Sequence, residues 1–389
     1  MLPLAGRRIW FVGIGGAGLS SYAFLARAWG AEVGGWDRVE TPYLRQLEGA
    51  AVEIAPEPVL PEGWEVVVSS AYPSVPGRPR AEFLAELVSL RRALVVGGAH
   101  GKTTTAGMIA FVLRELGHDP AWLVGGEVPQ LGGNAGAGEG WLVVEGDESD
   151  RTVEKLRPEI AVVTNVELDH HATFGSEAEL EEMFERWLGD VPHAVRGWEL
   201  EPVAFELGVP GEHNRRNAAA ALAALELAGV ARADAEPVLA RFRGAGRRFE
   251  LVGEEAGVTV VDDYAHHPSE IAATVAAARE RTHGRVLVLF QPHLYSRTRH
   301  LAHDLGAALS AADAACVTEI YRAREEPVDG VTGRLVLEAL RPGLRAGWAP
   351  TVEAGAAVVA SWARAGDLVL TVGAGDVERA GPLVLEALR

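Results

Sequence analysis

Gly97-Gly98-Ala99-His100-Gly101-Lys102-Thr103-Thr104-Thr105 lies between an apolar run, Ala93 to Val96, and a helical segment, Ala106 to Leu116. The order is strand, glycine-rich turn, helix, and that context makes the stretch a phosphate loop. Glycines let backbone N–H groups turn inward around a polyphosphate, and the helix N-terminus adds the positive end of its dipole. The lysine reaches the β- and γ-phosphates, and the hydroxyl after it can ligate Mg²⁺. The chain has only two lysines, Lys102 and Lys155, its other basic side chains being arginine and histidine. A sequence that otherwise avoids lysine has kept one where a triphosphate needs it.

The 389 residues are enough for two or three domains, each able to bury a core without staples. A formal charge of −18 argues against a nucleic-acid partner, since no basic face can be assembled from so acidic a balance. An anionic substrate must then be met by local arginines and helix termini. The single cysteine, Cys316, sits in the apolar run Ala314 to Thr318. It excludes a disulfide framework and reads as a small buried hydrophobe. The apolar N-terminus is broken by Arg7, Arg8 and a glycine cluster, so neither a signal peptide nor a membrane span is expected, and a cytoplasmic protein is.

Ahead of the loop, Arg8 to Val12 reads as a buried strand running into Gly13-Ile14-Gly15-Gly16-Ala17-Gly18 and a helix that Gly30 stops. A second strand, Val33 to Trp36, ends in Asp37. This is a GxGxxG turn with an acidic residue after the next strand, a geometry that suits a dinucleotide or any other diphosphate, including a UDP-sugar. Thr41 and Pro42 stand at the N-cap and N1 of another helix. Trp64 to Ser69 is a further strand, with Ser69 and Ser70 at its C-terminal end, where α/β ligand sites gather. Two serines there suit a helix cap as well as a ligand contact. A helix over Arg80 to Val88 precedes the loop strand, so the first domain boundary falls near Leu90 to Ala93.

Beyond the loop helix, the strand Leu142 to Val144 runs into Glu145-Gly146-Asp147-Glu148-Ser149-Asp150. Four carboxylates at a strand end, in the domain with the phosphate loop, point to a metal. Mg²⁺ takes one or two carboxylates with phosphate oxygens and water, and Glu145 is the first available. The next strand, Ile160 to Thr164, ends in Asn165 to His171, where Asp169-His170 offers a second metal contact. Gly211 to Asn217 opens an alanine-rich helix, and Asn214 and Asn217 lie one turn apart, placed to read an adenine edge or tie down a loop. After Arg247-Arg248-Phe249-Glu250 come the strand Val258 to Val261 and Asp262-Asp263-Tyr264-Ala265-His266-His267-Pro268. The strand Val286 to Phe290 is followed by Gln291 to Arg299, and Leu368 to Val372 by Gly373 to Asp376. Three alternating β/α sets with polar residues at strand C-termini imply three α/β domains facing a shared cleft.

These motifs, taken together and in order, resemble the Mur ligases of peptidoglycan synthesis. The resemblance covers nearly the whole chain: GIGGAG, SSA, GAHGKTTT, EGDESD, TNVELDH, GEHNRRN, RRFE, DDYAHHPSE, FQPHLYSRTR and VGAGD. It implies a Rossmann-like UDP-sugar domain over 1–92, a central P-loop ATPase domain over 93–245 and a Rossmann-like domain over 246–389 that admits the amino acid. By motif, Gly98, His100, Gly101, Lys102, Thr103 and Thr104 would hold the ATP phosphates. Thr103 and Glu145 would hold one Mg²⁺, and His170 a second together with Glu145. Asn214, Asn217 and Arg248 would surround the nucleotide, with Asp263 closing over it. Gly13, Gly15, Gly16, Gly18, Asp37, Ser69 and Ser70 would meet the UDP-sugar, and Tyr264, His267 and Arg297 the amino acid. The implied reaction is ATP-dependent joining of L-alanine to UDP-N-acetylmuramate, with Lys102, Glu145 and His170 carrying the chemistry in a monomer or weak homodimer. The alternative within the family is the ligase of murein recycling that attaches a tripeptide to the same sugar nucleotide; tyrosine is expected there in place of Ser149.

The chemistry fits independently. A carboxylate must accept a phosphoryl group before an amine can displace phosphate from it. Such a step needs charge neutralisation and positioning more than a protein nucleophile. Several related Mur ligases use a carbamylated lysine near the metal, and no lysine follows Lys155 to serve that way. Where the family commonly has threonine and arginine, this chain has Ala99 and Leu294, and DHMDTY is replaced by Asp169 to Phe174. The chain is also short for the family, trimmed after Ser70 and between Phe174 and His213. A nicotinamide dehydrogenase reading of GxGxxG and Asp37 leaves the phosphate loop unexplained. A silent nucleotide sensor leaves Lys102, Thr103 and Glu145 without a task.

Overall fold

The computed structural model describes residues 2–169, 173–323 and 325–389. Three sheets organise them. The first holds β1 (Arg8–Val12), β2 (Glu32–Asp37), β3 (Ala51–Ile54), β4 (Glu65–Val68) and β5 (Arg78–Pro79), with helices α1 (Ala17–Ala28) and α2 (Arg80–Ser89). Its order is β3-β2-β1-β4-β5 and every pairing is parallel, the arrangement of a Rossmann-like half.

The second sheet is built from β6 (Ala93–Gly97), β7 (Ala121–Val128), β8 (Gly133–Ala137), β9 (Leu142–Glu145), β10 (Ile160–Val163) and β11 (His193–Arg196). Its order is β11-β10-β6-β9-β7-β8, parallel except for the β7–β8 hairpin. β6 is buried at every position, as a parallel strand covered on both faces must be. Helices α3 (Lys102–Glu115), α4 (Glu177–Gly189), α5 (Glu212–Leu227) and α6 (Arg232–Leu239) belong to this part of the chain.

The third sheet comprises β12 (Glu250–Glu255), β13 (Val258–Asp263), β14 (Val286–Phe290), β15 (Ala314–Thr318), β16 (Arg345–Ala349) and β17 (Leu368–Val372). The order is β12-β13-β17-β14-β15-β16, with only β12 antiparallel. Its helices are α7 (Pro268–Arg281), α8 (Tyr295–Leu309), α9 (Arg334–Glu338), α10 (Val352–Trp362) and α11 (Ala380–Leu388).

The chain up to Glu206, with Arg216–Arg243, forms one compact unit; Leu207–Arg215 with Gly244–Arg389 forms another. In the first unit one apolar core runs from Phe11, Leu25 and Phe83 of the first sheet's layer to Val144, Phe184 and Trp187 of the second's. Helix α1 lies against the β7–β8 hairpin, so the two sheets share a core. In the second unit, cores led by Phe290 and by Leu289 cover the two faces of the third sheet. Cys316 is fully buried in β15, as its surroundings in sequence implied, and burial pushes its thiol up to about 12.

Several elements begin earlier than apolar periodicity suggests. Helix α3 starts at Lys102, α5 at Glu212 and α8 at Tyr295, so Asn214, Asn217 and Arg297 lie on helices, not ahead of them. Their first turns are polar because they face chemistry, and a polar turn carries no hydrophobic period. Glu145 is the last residue of β9, where it was expected just after the strand. Thr41 does precede a helical turn, Pro42–Leu47, but the turn is 3₁₀ and the Thr41 hydroxyl donates to Gly15 O at 2.7 Å in place of capping it.

Candidate active site

Two glycines shape the phosphate loop. Gly98 has φ 120° and Gly101 φ 79°, conformations that side chains rarely adopt. A Cβ at Gly98 would fall onto the hydroxyl of Thr164, and one at Gly101 onto the amide of Asn217. The loop is held from the end of β10. Ala99 N donates to Asn165 O at 3.2 Å and His100 N to Asn165 Oδ1 at 2.9 Å, while Thr164 Oγ1 and Asn165 Nδ2 donate to His100 O at 2.6 and 2.9 Å. His100 Nε2 stands 3.2 Å from Glu167.

Lys102 opens α3 with its side chain folded back over the loop. Its Nζ donates to Gly98 O at 2.7 Å, Ala99 O at 2.9 Å and Glu148, whose two oxygens lie at 3.1 and 3.0 Å. Glu148 is only 1% exposed. Burial disfavours the Lys102 ammonium, but Glu148, Glu145 and Asp147 outweigh it and hold its pKa above the ordinary lysine value. Thr103 and Thr104 are buried in the first turn. Thr103 Oγ1 donates to Glu145 Oε2 at 2.8 Å, and Gly125 N, from β7, donates to the same oxygen at 2.6 Å.

These residues fit a magnesium ion. Two hard oxygens 2.8 Å apart, one of them anionic, suit adjacent corners of an octahedron with Mg–O bonds of about 2.1 Å. His170, the other expected ligand, lies outside the described residues.

At the first sheet the glycine turn is tied to β2. Asp37 is 7% exposed, and its Oδ2 accepts from Gly15 N at 2.7 Å and its Oδ1 from Arg38 N at 2.7 Å. One oxygen of this carboxylate therefore holds the glycine turn and the other its own chain neighbour. Gly13 N donates to Trp36 O, and Gly16 stands at the N-cap of α1. Ser69 Oγ accepts from Ala71 N at 3.3 Å, closing a turn, and Ser70 is exposed.

Within the second unit Asp263 ends β13, 7% exposed. It accepts from Phe249 N at 2.7 Å, Ala265 N at 2.8 Å and Thr274 Oγ1 at 3.1 Å. Burial pushes it up to about 6 against the pull of Arg248 and the two backbone donors. Arg247 and Arg248 lie over the Tyr264 ring at 5.1 and 5.0 Å. The rings of Tyr264, His266, His293 and Tyr321 follow one another at 5.4, 6.0 and 5.8 Å, the last pair nearly parallel. Arg297, 6% exposed, meets His293 Nδ1 at 3.0 Å from the first turn of α8. Leu294, at the N-cap, takes φ 70°, a strained value for a branched side chain next to these rings. His267 caps α7 and is 4% exposed. Asn214 Nδ2 donates to Pro210 O at 2.7 Å. Sequence reasoning missed Thr164 and Asn165 as supports of the loop, Glu148 as the partner of Lys102, and His293 beside Arg297. The signal in each case was a polar residue at a strand C-terminus.

An α/β architecture of three sheets, with a phosphate loop and an acidic strand end in the second, defines a nucleotide-using enzyme of the Mur ligase type. The Mur ligase middle domain family matches residues 96–195, and the Mur ligase, glutamate ligase domain family matches residues 247–375. The chain belongs to the Mur ligase family. UDP-N-acetylmuramate–L-alanine ligase of Streptomyces coelicolor is 40% identical over 459 aligned positions, covering 100% of this chain and 99% of that protein. An alignment that much longer than 389 residues places gaps in this chain, in keeping with a shortened member of the family. Among solved structures, UDP-N-acetylmuramate-alanine ligase MurC from Thermotoga maritima superposes with a TM-score of 0.79 at 27% identity, covering 97% of this chain and 98% of that one. A murein peptide ligase from Psychrobacter arcticus superposes at 0.65 with 23% identity over 98% of this chain and 99% of that one, a likeness of fold alone. Among the described residues no helix is long and apolar enough to cross a membrane.

Proposed function

We propose that this chain joins L-alanine to the lactyl carboxylate of UDP-N-acetylmuramate in the cytoplasm, converting ATP to ADP and phosphate. The observation that carries the reading is the N-terminus of α3, where Lys102 folds over the phosphate loop and Thr103 meets Glu145, in a chain 40% identical to an L-alanine ligase over its whole length. A carboxylate oxygen of the sugar attacks the γ-phosphorus and the bond to the ADP oxygen breaks, giving an acyl phosphate. The alanine nitrogen, as the free amine, then adds to the acyl carbon. The tetrahedral intermediate collapses with loss of phosphate and of the nitrogen's proton, and the amide remains.

Each role proposed for a side chain follows from what it can offer. Lys102, released from the loop carbonyls, neutralises the transferring phosphoryl group, and the N–H groups of Gly98 to Thr104, with His100, cradle the triphosphate. Magnesium, when bound, would supply charge neutralisation to the phosphates; Thr103 and Glu145 would hold one ion, and His170 with Glu145 a second. Asn214, Asn217, Arg248 and Asp263 serve the nucleotide. Gly13, Gly15, Gly16 and Gly18, with Asp37, Ser69 and Ser70, serve the UDP-sugar. Tyr264, His267 and Arg297 serve the amino acid. The working division is 1–92, 93–245 and 246–389. Phosphate release with ATP and Mg²⁺ against a panel of amino acids, with and without UDP-N-acetylmuramate, tests the reading. Release with L-alanine only when the sugar nucleotide is present supports it, and release indifferent to either substrate refutes it.

A further inference from the structure

Asp147 and Glu148 are neighbours in sequence, yet they hold cations from different layers of the first unit. Glu148 holds Lys102 of the phosphate loop. Asp147 Oδ2 accepts from Arg80 Nη2 at 2.7 Å, and Asp150 Oδ2 accepts from the same nitrogen at 2.7 Å and from Arg80 Nε at 3.2 Å. Arg80 is the first residue of α2, in the layer of the first sheet. Its remaining nitrogen, Nη1, makes none of these bonds and points toward the glycine turn, where a Cβ on Gly18 would lie 3.6 Å from it. Tyr22, one turn further along α1, is buried beside the same guanidinium.

The acidic segment transmits position because it is internally braced. Ser149 N donates to Asp147 Oδ1 at 2.9 Å, Thr152 N to Asp150 Oδ1 at 3.1 Å and Val153 N to Asp147 O at 2.9 Å. A second tie runs alongside. Asn134 Nδ2, from β8, donates to Ala17 O at the start of α1 at 3.1 Å, and β7 of the same hairpin supplies the Gly125 N–H that holds Glu145.

We propose that Arg80 is a positioning residue that couples the glycine turn Gly13–Gly18 to the phosphate loop through Asp147 and Glu148, so that a sugar diphosphate on the turn tightens the binding of ATP. An anion at the N-terminus of α1 meets Arg80 Nη1 and fixes the guanidinium. That fixes Asp147 and Asp150, and with them the pose in which Glu148 faces Lys102 and Glu145 faces Thr103. The cost of ordering this segment is met by the first ligand and spared for the second, which by linkage makes the effect reciprocal. This inference rests on the placing of the UDP-sugar and ATP proposed above.

The test is calorimetric titration of the full chain with a non-hydrolysable ATP analogue and Mg²⁺, with and without UDP-N-acetylmuramate. The wild type should bind the analogue about 10-fold more tightly when the sugar nucleotide is present, within the usual range of allosteric coupling. In Arg80→Gln that ratio should fall to near one while the affinity without sugar nucleotide stays close to wild type, and Arg80→Lys should restore part of it. If Arg80→Gln melts below the assay temperature, Asp150→Asn, which removes charge from the ligand of Arg80 but keeps the arginine, should lower the ratio instead. A wild type without coupling, or variants that keep the full ratio, overturns the relay. A wild type that turns over L-alanine with its coupling untouched by these substitutions sinks only the relay, whereas failure of phosphate release in the wild type sinks the proposed reaction itself.

Discussion

The hydroxyl of Thr103 donates to the carboxylate of Glu145 across 2.8 Å, joining the first turn of α3 to the end of β9 over 42 residues of sequence. Gly125 N completes the arrangement by fixing the same carboxylate oxygen. Glu145→Gln keeps the shape and removes the charge. Turnover is expected to fall about 100-fold or more, the scale of losing one preorganised electrostatic contact in a phosphoryl-transfer site. Mn²⁺ binding in the presence of an ATP analogue, followed by electron paramagnetic resonance, should weaken in parallel. Unchanged Mn²⁺ affinity would remove Glu145 from the metal site.

Lys102 and Glu148 form a pair in which the carboxylate is almost wholly buried. Lys102→Ala should abolish turnover, and it should also destabilise the chain by about 3 kcal/mol, because a buried charge is left without its counterion. Lys102→Ala combined with Glu148→Gln should recover most of that stability and none of the activity. Denaturant midpoints for the two single variants and the double variant form the required cycle, and additive losses would show that the pair does not interact.

His213 follows Gly211-Glu212 in the second unit, and its Nδ1 is buried without a hydrogen-bond partner among the described residues. Burial holds its pKa down to about 4, with Arg248 pulling weakly the same way and Glu270 weakly against it. The unfolded chain binds a proton near pH 6.5 that the folded imidazole refuses until about pH 4, so this residue makes folding less favourable as pH falls through that interval. The loss is at most about 3 kcal/mol from the gap between the two values. Asp263 acts with the opposite sign over an overlapping range, since its raised pKa makes the folded state lose stability as pH rises from about 4 to about 6. Comparing urea midpoints of wild type and His213→Gln at pH 7.0, 5.5 and 4.5 isolates the histidine. The variant should gain on the wild type as the solution becomes more acid, and parallel curves would contradict the assignment.

Arg297 is buried in the first turn of α8 against His293. Arg297→Ala should raise the KM for L-alanine about 10-fold or more, as expected for loss of a charged hydrogen bond to a carboxylate, with the KM for ATP within about twofold of wild type. Equal increases in the two constants would move Arg297 out of the amino-acid pocket.

The residues that announce chemistry by type and order were legible without coordinates. Gly98, Gly101 and Lys102 declare a phosphate loop because few other side-chain patterns permit that backbone, and the buried strand before them is continuous in apolar residues. Glu145 could be chosen from four neighbouring carboxylates because it stands nearest the strand. The parallel strands β1, β6, β14 and β17 were found for the same reason, each being a short apolar run bounded by glycine or polar residues. The β7–β8 hairpin was not found, since Gly125-Gly126 and Gly132-Gly133 break the alternation that would have marked it.

Local pattern thus settled the apolar parallel strands and the existence of the phosphate loop, because these depend on neighbours within a few residues, and the order of short motifs along the chain settled the family. Tertiary structure alone decided that Asp37 closes its own glycine turn, that Asn165 braces the loop from the adjoining strand, and that Asp147 and Glu148 face Arg80 and Lys102. Each of those outcomes depends on which charged groups two distant segments bring within about 3 Å of one another, where the interaction becomes strong and desolvated. No spacing along the chain encodes that distance.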